Sequence, residues 1–363
     1  MANVCLVTYG CTANQDNSDI IKGILNENKH YIIQNAESAD VVIINSCVVK
    51  GVTANKVKSA VEKFRNKKLI ITGCMAESEQ KLLKRIAPKA SLVNTFHITK
   101  INDAVNGLMN NRVDFYIGKR KENILGLPKL FNENKISLQI AQGCTSACNF
   151  CETKLAKGYV KSYSEEEIAK ELKRYLKLGH KKINITSTDN GCYGLDLNTN
   201  LPRLLKKLAA VNGRFSLRVG MMNPEHVKKF LDGLIDAYKD KKIIKFLHVP
   251  VQSGSDKVLK EMNRNYSIKD FKEIVKRFRK EFHKIDIITD VIAGYPSESE
   301  DDFSKTVSLI EEIKPDVLNI SKYSPRPGTT SARLRQLSTH IVKERTRILT
   351  NGFKKLKKMK NNG

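Results

Sequence analysis

Two groups of cysteines are the residues of this sequence best suited to carry chemistry. The first group, Cys144, Cys148 and Cys151, lies in one short segment with three and then two residues between its members. We call it the loop triad. Three thiolates on one short loop can hold three irons of a cubane 4Fe–4S cluster and leave the fourth iron open for an exogenous ligand. A zinc site of three cysteines and one histidine is the alternative, and its histidine would come from elsewhere in the chain.

The second group, Cys11, Cys47 and Cys74, is dispersed but shares one local context, and we call it the strand-end triad. Each member follows a short apolar run that is typical of a strand buried on both faces, at residues 4–7, 41–44 and 69–73. Helical stretches follow at residues 20–25, 57–64 and 79–86, and this alternation predicts a doubly wound parallel sheet. Because ligand sites of such sheets lie beyond the carboxyl ends of the strands, we expect the triad to converge on one edge.

Two other interpretations of the strand-end triad stay open. A free cysteine is often a small buried hydrophobe. A structural zinc site requires four ligands, often in paired Cys-x-x-Cys segments, and none of the three cysteines has such a neighbour. Cys5 lies within the first predicted strand and Cys192 stands alone, so we expect both to be packing thiols.

Composition narrows the classes of partner. The 363 residues carry 64 Lys+Arg against 38 Asp+Glu, a net charge of +26 that favours a polyanion, with nucleic acid ahead of an anionic membrane surface. No apolar run approaches the roughly 18 residues of a membrane-spanning helix, and the N-terminus lacks the pattern of a signal peptide. We therefore expect a cytoplasmic protein without membrane contact, in which thiols stay reduced.

A second strand–helix pattern begins at Lys135. Strands are predicted at residues 137–141, 183–186, 215–219, 243–251, 285–292 and 317–321, with helices at 164–178, 201–211, 224–238, 267–282 and 299–313. Ser164 and Glu167 form the sequence signature of a capping box. Six alternating strands predict a partial (β/α)6 barrel, whose sites lie in the loops after its strands. The loop triad occupies the loop after the first of them.

These patterns divide the chain into four parts. We expect an N-terminal α/β domain at residues 1–117, a polar linker at 118–134, the partial barrel at 135–335 and a basic C-terminal helix or tail at 336–363. The tail has an apolar stripe at helical spacing with lysines around it. It is either a solvated basic helix packed on the barrel or an RNA contact.

The loop triad after the first strand of a partial barrel resembles the radical S-adenosylmethionine (radical SAM) enzymes. Together with the strand-end triad, the chain looks like the methylthiotransferases of that superfamily. The segments that carry this likeness are residues 8–14, 45–47, 72–77, 218–224, 248–255, 262–266, 294–296 and 323–329. The resemblance covers essentially the whole chain.

Three branches of that family differ in substrate. One modifies N6-threonylcarbamoyladenosine at position 37 of tRNA, one modifies isopentenyladenosine at the same place, and one modifies an aspartate of a ribosomal protein. Residues 151–163 and 189–196 are similar to the threonylcarbamoyl branch, except at Glu152 and Cys192. The other two branches are the alternatives.

The resemblance implies two 4Fe–4S clusters. One, on the loop triad, binds S-adenosylmethionine and generates a radical that abstracts hydrogen from C2 of the adenine. The other, an auxiliary cluster on the strand-end triad, holds the sulfur, and a second S-adenosylmethionine supplies the methyl group. The cofactors then carry the difficult steps, and the protein positions and tunes them.

Seven further residues are candidates for binding. Gln252, Ser253 and Gly294 lie in barrel loops that could line the S-adenosylmethionine site, although turn residues of the same types occur without a ligand. Candidates for substrate contact are Lys154, Asp189, Arg264 and Arg326. The two arginines are equally compatible with surface charge.

Members of this family usually carry a small C-terminal β-barrel, the TRAM domain, which grips tRNA. The chain ends about 35 residues after Gly328, so we expect that barrel to be absent. The expected partners are tRNA, an electron donor that the sequence does not identify, and a separate RNA-binding protein if the basic body does not suffice. An iron–sulfur or zinc RNA-binding protein without catalysis is the competing class.

Overall fold

The computed structural model describes residues 1–118, 122–131 and 136–361, so residues 119–121 and 132–134 of the predicted linker lie outside the described residues. The chain forms two compact units. The first contains Met1–Cys144 and Glu152–Thr188, and the second contains Thr145–Cys151 and Asp189–Gly363. The unit boundary therefore falls within the second predicted domain, and the four-part division of the chain stays a prediction.

The first unit contains the predicted doubly wound parallel sheet. Six strands lie in the order β2-β1-β3-β4-β5-β6, and all neighbouring pairs are parallel. The strands are β1 (Asn3–Thr8), β2 (Tyr31–Ile33), β3 (Val41–Ser46), β4 (Lys68–Gly73), β5 (Ser91–Asn94) and β6 (Phe115–Tyr116). The helices between them are α1 (Thr12–Glu27), α2 (Gly51–Phe64), α3 (Met75–Ser78), α4 (Gln80–Ile86) and α5 (Ile101–Met109).

The register of this sheet brings the strand ends level. Thr8 of β1 lies opposite Asn45 of β3, and Asn45 lies opposite Thr72 of β4. All six residues of β3 are buried, as an apolar central strand requires. Neighbouring strands lie about 4.8 Å apart, so the three segments that leave these ends start close together.

The first unit continues after the sheet with β7 (Ile136–Gln139), β8 (Ala141–Gln142), α6 (Glu152–Lys157), β9 (Lys161–Ser162), α7 (Glu165–Lys177) and β10 (Lys182–Thr186). The predicted strand at 137–141 is interrupted at Ile140. The Ile140 amide donates to Thr186, whereas its carbonyl accepts from Tyr163, so the chain changes partner from β10 to β9. The capping box of Ser164 and Glu167 is confirmed.

A buried ion pair ties the segment before residue 132 to α1. Lys129 Nζ lies 2.7 Å from Asp16 Oδ1 and 2.7 Å from the Tyr175 hydroxyl, and both charged side chains are almost fully buried. Gln139 donates to the second Asp16 oxygen at 2.8 Å. Each oxygen of the Asp16 carboxylate therefore accepts a hydrogen bond, as a buried charge requires.

The second unit contains the parallel strands β12, β13 and β14, and β11 joins them through a bridge between Leu217 and Ile243. The strands are β11 (Ser216–Val219), β12 (Phe246–His248), β13 (Asp286–Ala293) and β14 (Val317–Lys322). The helices are α8 (Leu201–Ala209), α9 (Pro224–Val227), α10 (Leu231–Tyr238), α11 (Asp256–Glu261), α12 (Ile268–Glu281), α13 (Glu300–Ile313) and α14 (Thr339–Asn361).

Two predicted elements of the second unit are wrong in extent. The helix predicted at 224–238 is broken, because the amides of Lys229 and Phe230 bond three residues back and end α9. The strand predicted at 243–251 narrows to Phe246–His248, since Pro250 has no amide hydrogen and Gln252 adopts a φ of +69°. In the described part of the chain, no helix is long and apolar enough to cross a membrane.

Candidate functional site

The strand-end triad lies at one edge of the parallel sheet of the first unit. Cys11 precedes α1 at its N-cap, and Cys47 and Cys74 directly follow β3 and β4. Cys47 and Cys74 are buried, whereas Cys11 is exposed. The Cys74 thiol interacts electrostatically with both others, so the three cysteines lie near one another at this edge of the sheet.

Glycine is required beside this triad. Gly10 has a φ of +107°, and a side chain there would collide with Cβ and Sγ of Cys47. Gly73 has a φ of +87°, and its missing side chain would strike the Ser46 carbonyl. Each glycine thus permits both a left-handed turn and a close approach directly before a cysteine.

Two buried asparagines hold the segments that carry the triad. Asn14 Nδ2 donates to the carbonyls of Tyr9 at 2.9 Å and Ser46 at 2.6 Å. Asn45 Nδ2 donates to the carbonyl of Asn14 and to Ser18 Oγ, both at 2.8 Å. These bonds link the segment around Cys11 to the end of β3.

The electrostatics of the strand-end triad fit a metal cluster. Burial raises the pKa of Cys47, and it raises the pKa of Cys74 to about 12; nearby Lys157 lowers both. Lys157 and Glu152 lie on α6, both buried, and Glu152 accepts from Ser78 Oγ at 2.8 Å. Buried thiols of this kind ionise when a metal supplies the positive charge, and thiolates are the ligands that iron–sulfur clusters use.

Cys148 and Cys151 of the loop triad belong to the second unit, and both are half-buried. The Cys151 amide donates to the Cys148 carbonyl at 3.0 Å. Arg264 Nη1 lies 3.3 Å from Cys148 Sγ, and its other nitrogens bond the Pro250 carbonyl and the Tyr266 hydroxyl. Arg264, which the sequence analysis predicts to contact substrate, is therefore a buried cation that hydrogen-bonds the Cys148 sulfur.

Cys144, the last residue of this part of the first unit, is held by the segment after α6. Its amide donates to the Gly158 carbonyl at 3.2 Å, and its carbonyl accepts from Lys154 Nζ. The Lys154 ammonium also lies 4.0 Å from the centroid of the Tyr159 ring. Lys154, another predicted substrate contact, thus fixes the backbone of a triad member.

Asp189 is buried in the second unit and is bound on both oxygens. Oδ1 accepts from the amides of Gly191 at 2.9 Å and Asn223 at 3.0 Å, and Oδ2 lies 3.5 Å from His226 Nε2. Cys192 is also buried, and its thiol donates to the Asp189 carbonyl at 3.1 Å. The structure therefore places Asp189 as the N-cap of a short 3-10 turn at Asn190–Cys192.

The three predicted cofactor residues lie in two loops of the second unit. Ser253 is buried beside Thr306, with 3.4 Å between their hydroxyl oxygens, and it follows the left-handed Gln252. Gly294 has a φ of +80°, and a side chain there would strike Val342 of α14. The conformation of both loops is therefore fixed by packing.

The Gly294 loop is anchored by a buried ion pair that sequence reasoning missed. The Gly294 amide donates to Glu298 Oε2 at 2.8 Å, and Arg345 Nη1 lies 2.9 Å from the same oxygen. Burial raises the pKa of Glu298, while the Gly294 amide and Arg345 lower it. Arg326, the remaining predicted substrate contact, is buried, and its carbonyl accepts from Thr329 at 2.8 Å.

Similarity to known proteins assigns the family. Residues 138–310 match the radical SAM superfamily, and residues 3–95 match the "Uncharacterized protein family UPF0004". A probable threonylcarbamoyladenosine tRNA methylthiotransferase of Pyrococcus horikoshii is 42% identical over 356 residues, which are 96% of this chain and 83% of the relative. The chain belongs to the threonylcarbamoyladenosine tRNA methylthiotransferase family. The human threonylcarbamoyladenosine tRNA methylthiotransferase is 35% identical over 95% of this chain and 61% of its own length.

Solved structures agree on the fold. The radical SAM methyltransferase TsrM from Kitasatospora setae, with cobalamin and a 4Fe–4S cluster bound, aligns with a TM-score of 0.64 at 12% identity, covering 91% of this chain and 77% of TsrM. The cobalamin-dependent radical SAM enzyme OxsB gives 0.57 at 9% identity, covering 99% of this chain and 56% of OxsB. The predicted α/β fold of the radical SAM class is confirmed.

Proposed function

We propose that this protein forms the 2-methylthio derivative of N6-threonylcarbamoyladenosine at position 37 of tRNA by a radical SAM reaction. The observation that carries the proposal is the 35–42% identity, over nearly the whole chain, to relatives named for a methylthiotransferase of this nucleoside. The two cysteine triads support it, because such a reaction needs both a radical-generating centre and a place to hold sulfur.

The triads would hold two 4Fe–4S clusters, with S-adenosylmethionine on the open iron of the loop-triad cluster. When bound, these groups supply one-electron chemistry that attacks an inert adenine carbon and delivers sulfur and methyl. Three protein ligands leave one iron of each cluster free for an exogenous group. Gln252, Ser253 and Gly294 would line the S-adenosylmethionine site.

The protein's own residues position and charge these centres. Arg264 donates a charge-assisted hydrogen bond to Cys148 Sγ, which favours the thiolate and an added electron nearby. Lys157 places a buried positive charge near Cys47 and Cys74 and serves the same purpose there. Lys154 and Asp189 would act by holding the segments that carry the loop triad and its neighbours, and Arg326 would contact substrate.

The partner is tRNA in the cytoplasm, with an electron donor and, if needed, a separate RNA-binding protein. The net charge of +26 supports phosphate binding. Lysines 354, 355, 357, 358 and 360 are exposed on α14. Truncation at Gly352 should weaken the binding of all tRNAs to a similar extent. It should also reduce the slope of log affinity against log salt concentration by roughly 0.7 to 0.9 for each lost phosphate contact. An unchanged slope would assign α14 to packing alone.

Anaerobic reconstitution followed by nucleoside mass spectrometry tests the function. The full chain should bind about eight irons and convert tRNA that carries the threonylcarbamoyl group, but not tRNA that carries isopentenyladenosine. Alanines at the loop triad should abolish cleavage of S-adenosylmethionine and leave about four irons. Alanines at the strand-end triad should keep cleavage and stop methylthio insertion.

Three outcomes of these experiments would contradict the proposed function. Product from isopentenyladenosine or from the ribosomal protein would assign another branch. A protein without visible iron–sulfur absorption and without 5′-deoxyadenosine would be a zinc or RNA-binding protein instead. Product from the strand-end variant would overturn the assignment of that triad.

A further inference from the structure

Arg218 presents a cation on the less buried face of β11. The side chains of Leu217 and Val219 on either side of it are fully buried, so alternation along the strand directs Arg218 to the opposite face. There it is half-buried, and its guanidinium carbon lies 3.7 Å from the centroid of the Phe246 ring. A guanidinium stacked on an aromatic face is held flat with its edge nitrogens free to point elsewhere.

This charge has no counter-charge in the part of the chain that the structure describes. No carboxylate there forms an ion pair with Arg218, and the titratable group beside it, the phenol of Tyr238, is uncharged because burial raises its pKa. Burial lowers the pKa of Arg218. A guanidinium carries five N–H donors and stays charged, so a partly desolvated one with none of them bonded is suited to an acceptor that arrives from outside.

The same face carries a second polar pair. His248 lies two residues after Phe246 on β12 and so shares its side of the sheet. His248 Nε2 lies 2.6 Å from Asp290 Oδ2, and the two side chains are 20% and 24% exposed. Asp290 is thereby engaged by histidine, and the face remains open to a ligand.

We propose that Arg218 binds the free carboxylate of the threonylcarbamoyl group, beside the His248–Asp290 pair. The inference rests on the proposed function and names the residue that selects its substrate. A carboxylate matches two N–H groups of a guanidinium in a bidentate pair. Isopentenyladenosine has no carboxylate and would leave Arg218 unpaired, and sites built to pair a polar group reject analogues that lack it.

Steady-state kinetics with matched RNAs test the assignment. The substrates are anticodon stem–loops with threonylcarbamoyladenosine, with the same nucleoside whose carboxylate is an amide, and with isopentenyladenosine. For R218M we expect kcat/KM on the acid substrate to fall about 100-fold, mainly through KM. R218K should recover part of the loss. R214M removes an exposed arginine just before β11 and should have the same kcat/KM on the acid substrate as wild type.

The amide substrate isolates the contact from a structural role. Wild type should process it about 100-fold less efficiently than the acid, whereas R218M should treat acid and amide alike. An equal loss on both substrates in R218M, or no loss on either, would overturn the proposal. The Tm and the visible spectrum of the reconstituted protein check folding, and R218K serves if R218M does not fold.

The methionyl carboxylate of S-adenosylmethionine is the other source of this chemistry. Equilibrium dialysis with labelled S-adenosylmethionine, without RNA, distinguishes the two. Equal Kd values for wild type and R218M support substrate recognition, and a weakened Kd in R218M would overturn it. If wild-type protein modifies no threonylcarbamoyl RNA, the proposed function fails first. If it does and R218M matches it, only this inference fails.

Discussion

Removal of one partner from the buried pair of Glu298 and Arg345 should strongly destabilise the second unit at neutral pH. The exposed fractions are 0% for Glu298 and 7% for the Arg345 side chain. Replacing Arg345 by methionine leaves a buried carboxylate without its cation, which costs about 3 to 5 kcal/mol. For a unit of this size that lowers Tm by about 6 to 20 °C.

An exposed ion pair of the same arginine provides the control for this prediction. Arg345 Nη2 also lies 3.0 Å from Glu300, whose side chain is 80% exposed. A surface pair of this kind contributes less than about 1 kcal/mol, so Glu300→Gln should change Tm little. The double variant with Glu298→Gln and Arg345→Met removes both buried charges and should recover most of the lost stability.

The pH dependence separates this explanation from a simple loss of packing. Burial raises the pKa of Glu298 in the folded protein, and removal of Arg345 raises it further. A carboxyl with a raised folded pKa weakens folding most above that pKa, and this penalty shrinks as pH falls from the folded pKa to the unfolded pKa. The difference in unfolding free energy between wild type and R345M should therefore shrink from pH 8 to pH 5. A constant difference, or one below about 1 kcal/mol at pH 8, would refute the reasoning.

Further variants probe the first unit and the unassigned thiols. Lys129→Met breaks a buried ion pair with Asp16 and should lower the free energy of unfolding in urea by about 3 to 5 kcal/mol. Gly10→Ala should reduce the iron content from about eight to about four atoms per chain, because the new methyl group displaces Cys47 of the strand-end triad. The control is Gly352→Ala on α14, whose methyl group meets nothing within 4 Å, so this variant should keep its full iron content. Cys5→Ala and Cys192→Ala should retain the full iron content. Loss of half of the iron in either variant would contradict the assignment of the two triads as the cluster ligands.

The central strands could be predicted from sequence because they are buried on both faces. β1, β3 and β4 have apolar runs long enough to recognise, and their ends locate the strand-end triad. The edge strands β2 and β6 and the short inner strand β5 are not predicted from the sequence. β6 has only two residues, and Tyr31 of β2 is exposed, so neither run shows a periodicity.

The surroundings of the triads could not be predicted in the same way. Arg264 contacts Cys148 across 116 positions, and Arg345 contacts Glu298 across 47. In the sequence each of these arginines resembles ordinary surface charge, and only tertiary packing buries it. Arg218 was part of a family-like segment, but its unmatched charge becomes visible only when its neighbours across the sheet are known.

The position of α6 has a consequence for synthesis of the protein. Ala156 of α6 packs in the same apolar cluster as Cys74 and Val48, and Lys157 ends that helix beside the buried thiols. A nascent chain grows by about 5 to 20 residues per second, so the 83 residues from Cys74 to Lys157 take roughly 4 to 17 s. During that interval the sheet edge on the ribosome presents its thiols without the covering helix. If these thiols hold a cluster, iron delivery and damage by oxygen compete for the same uncovered sulfurs, and we expect a lower oxygen level during translation to increase the fraction of chains that mature.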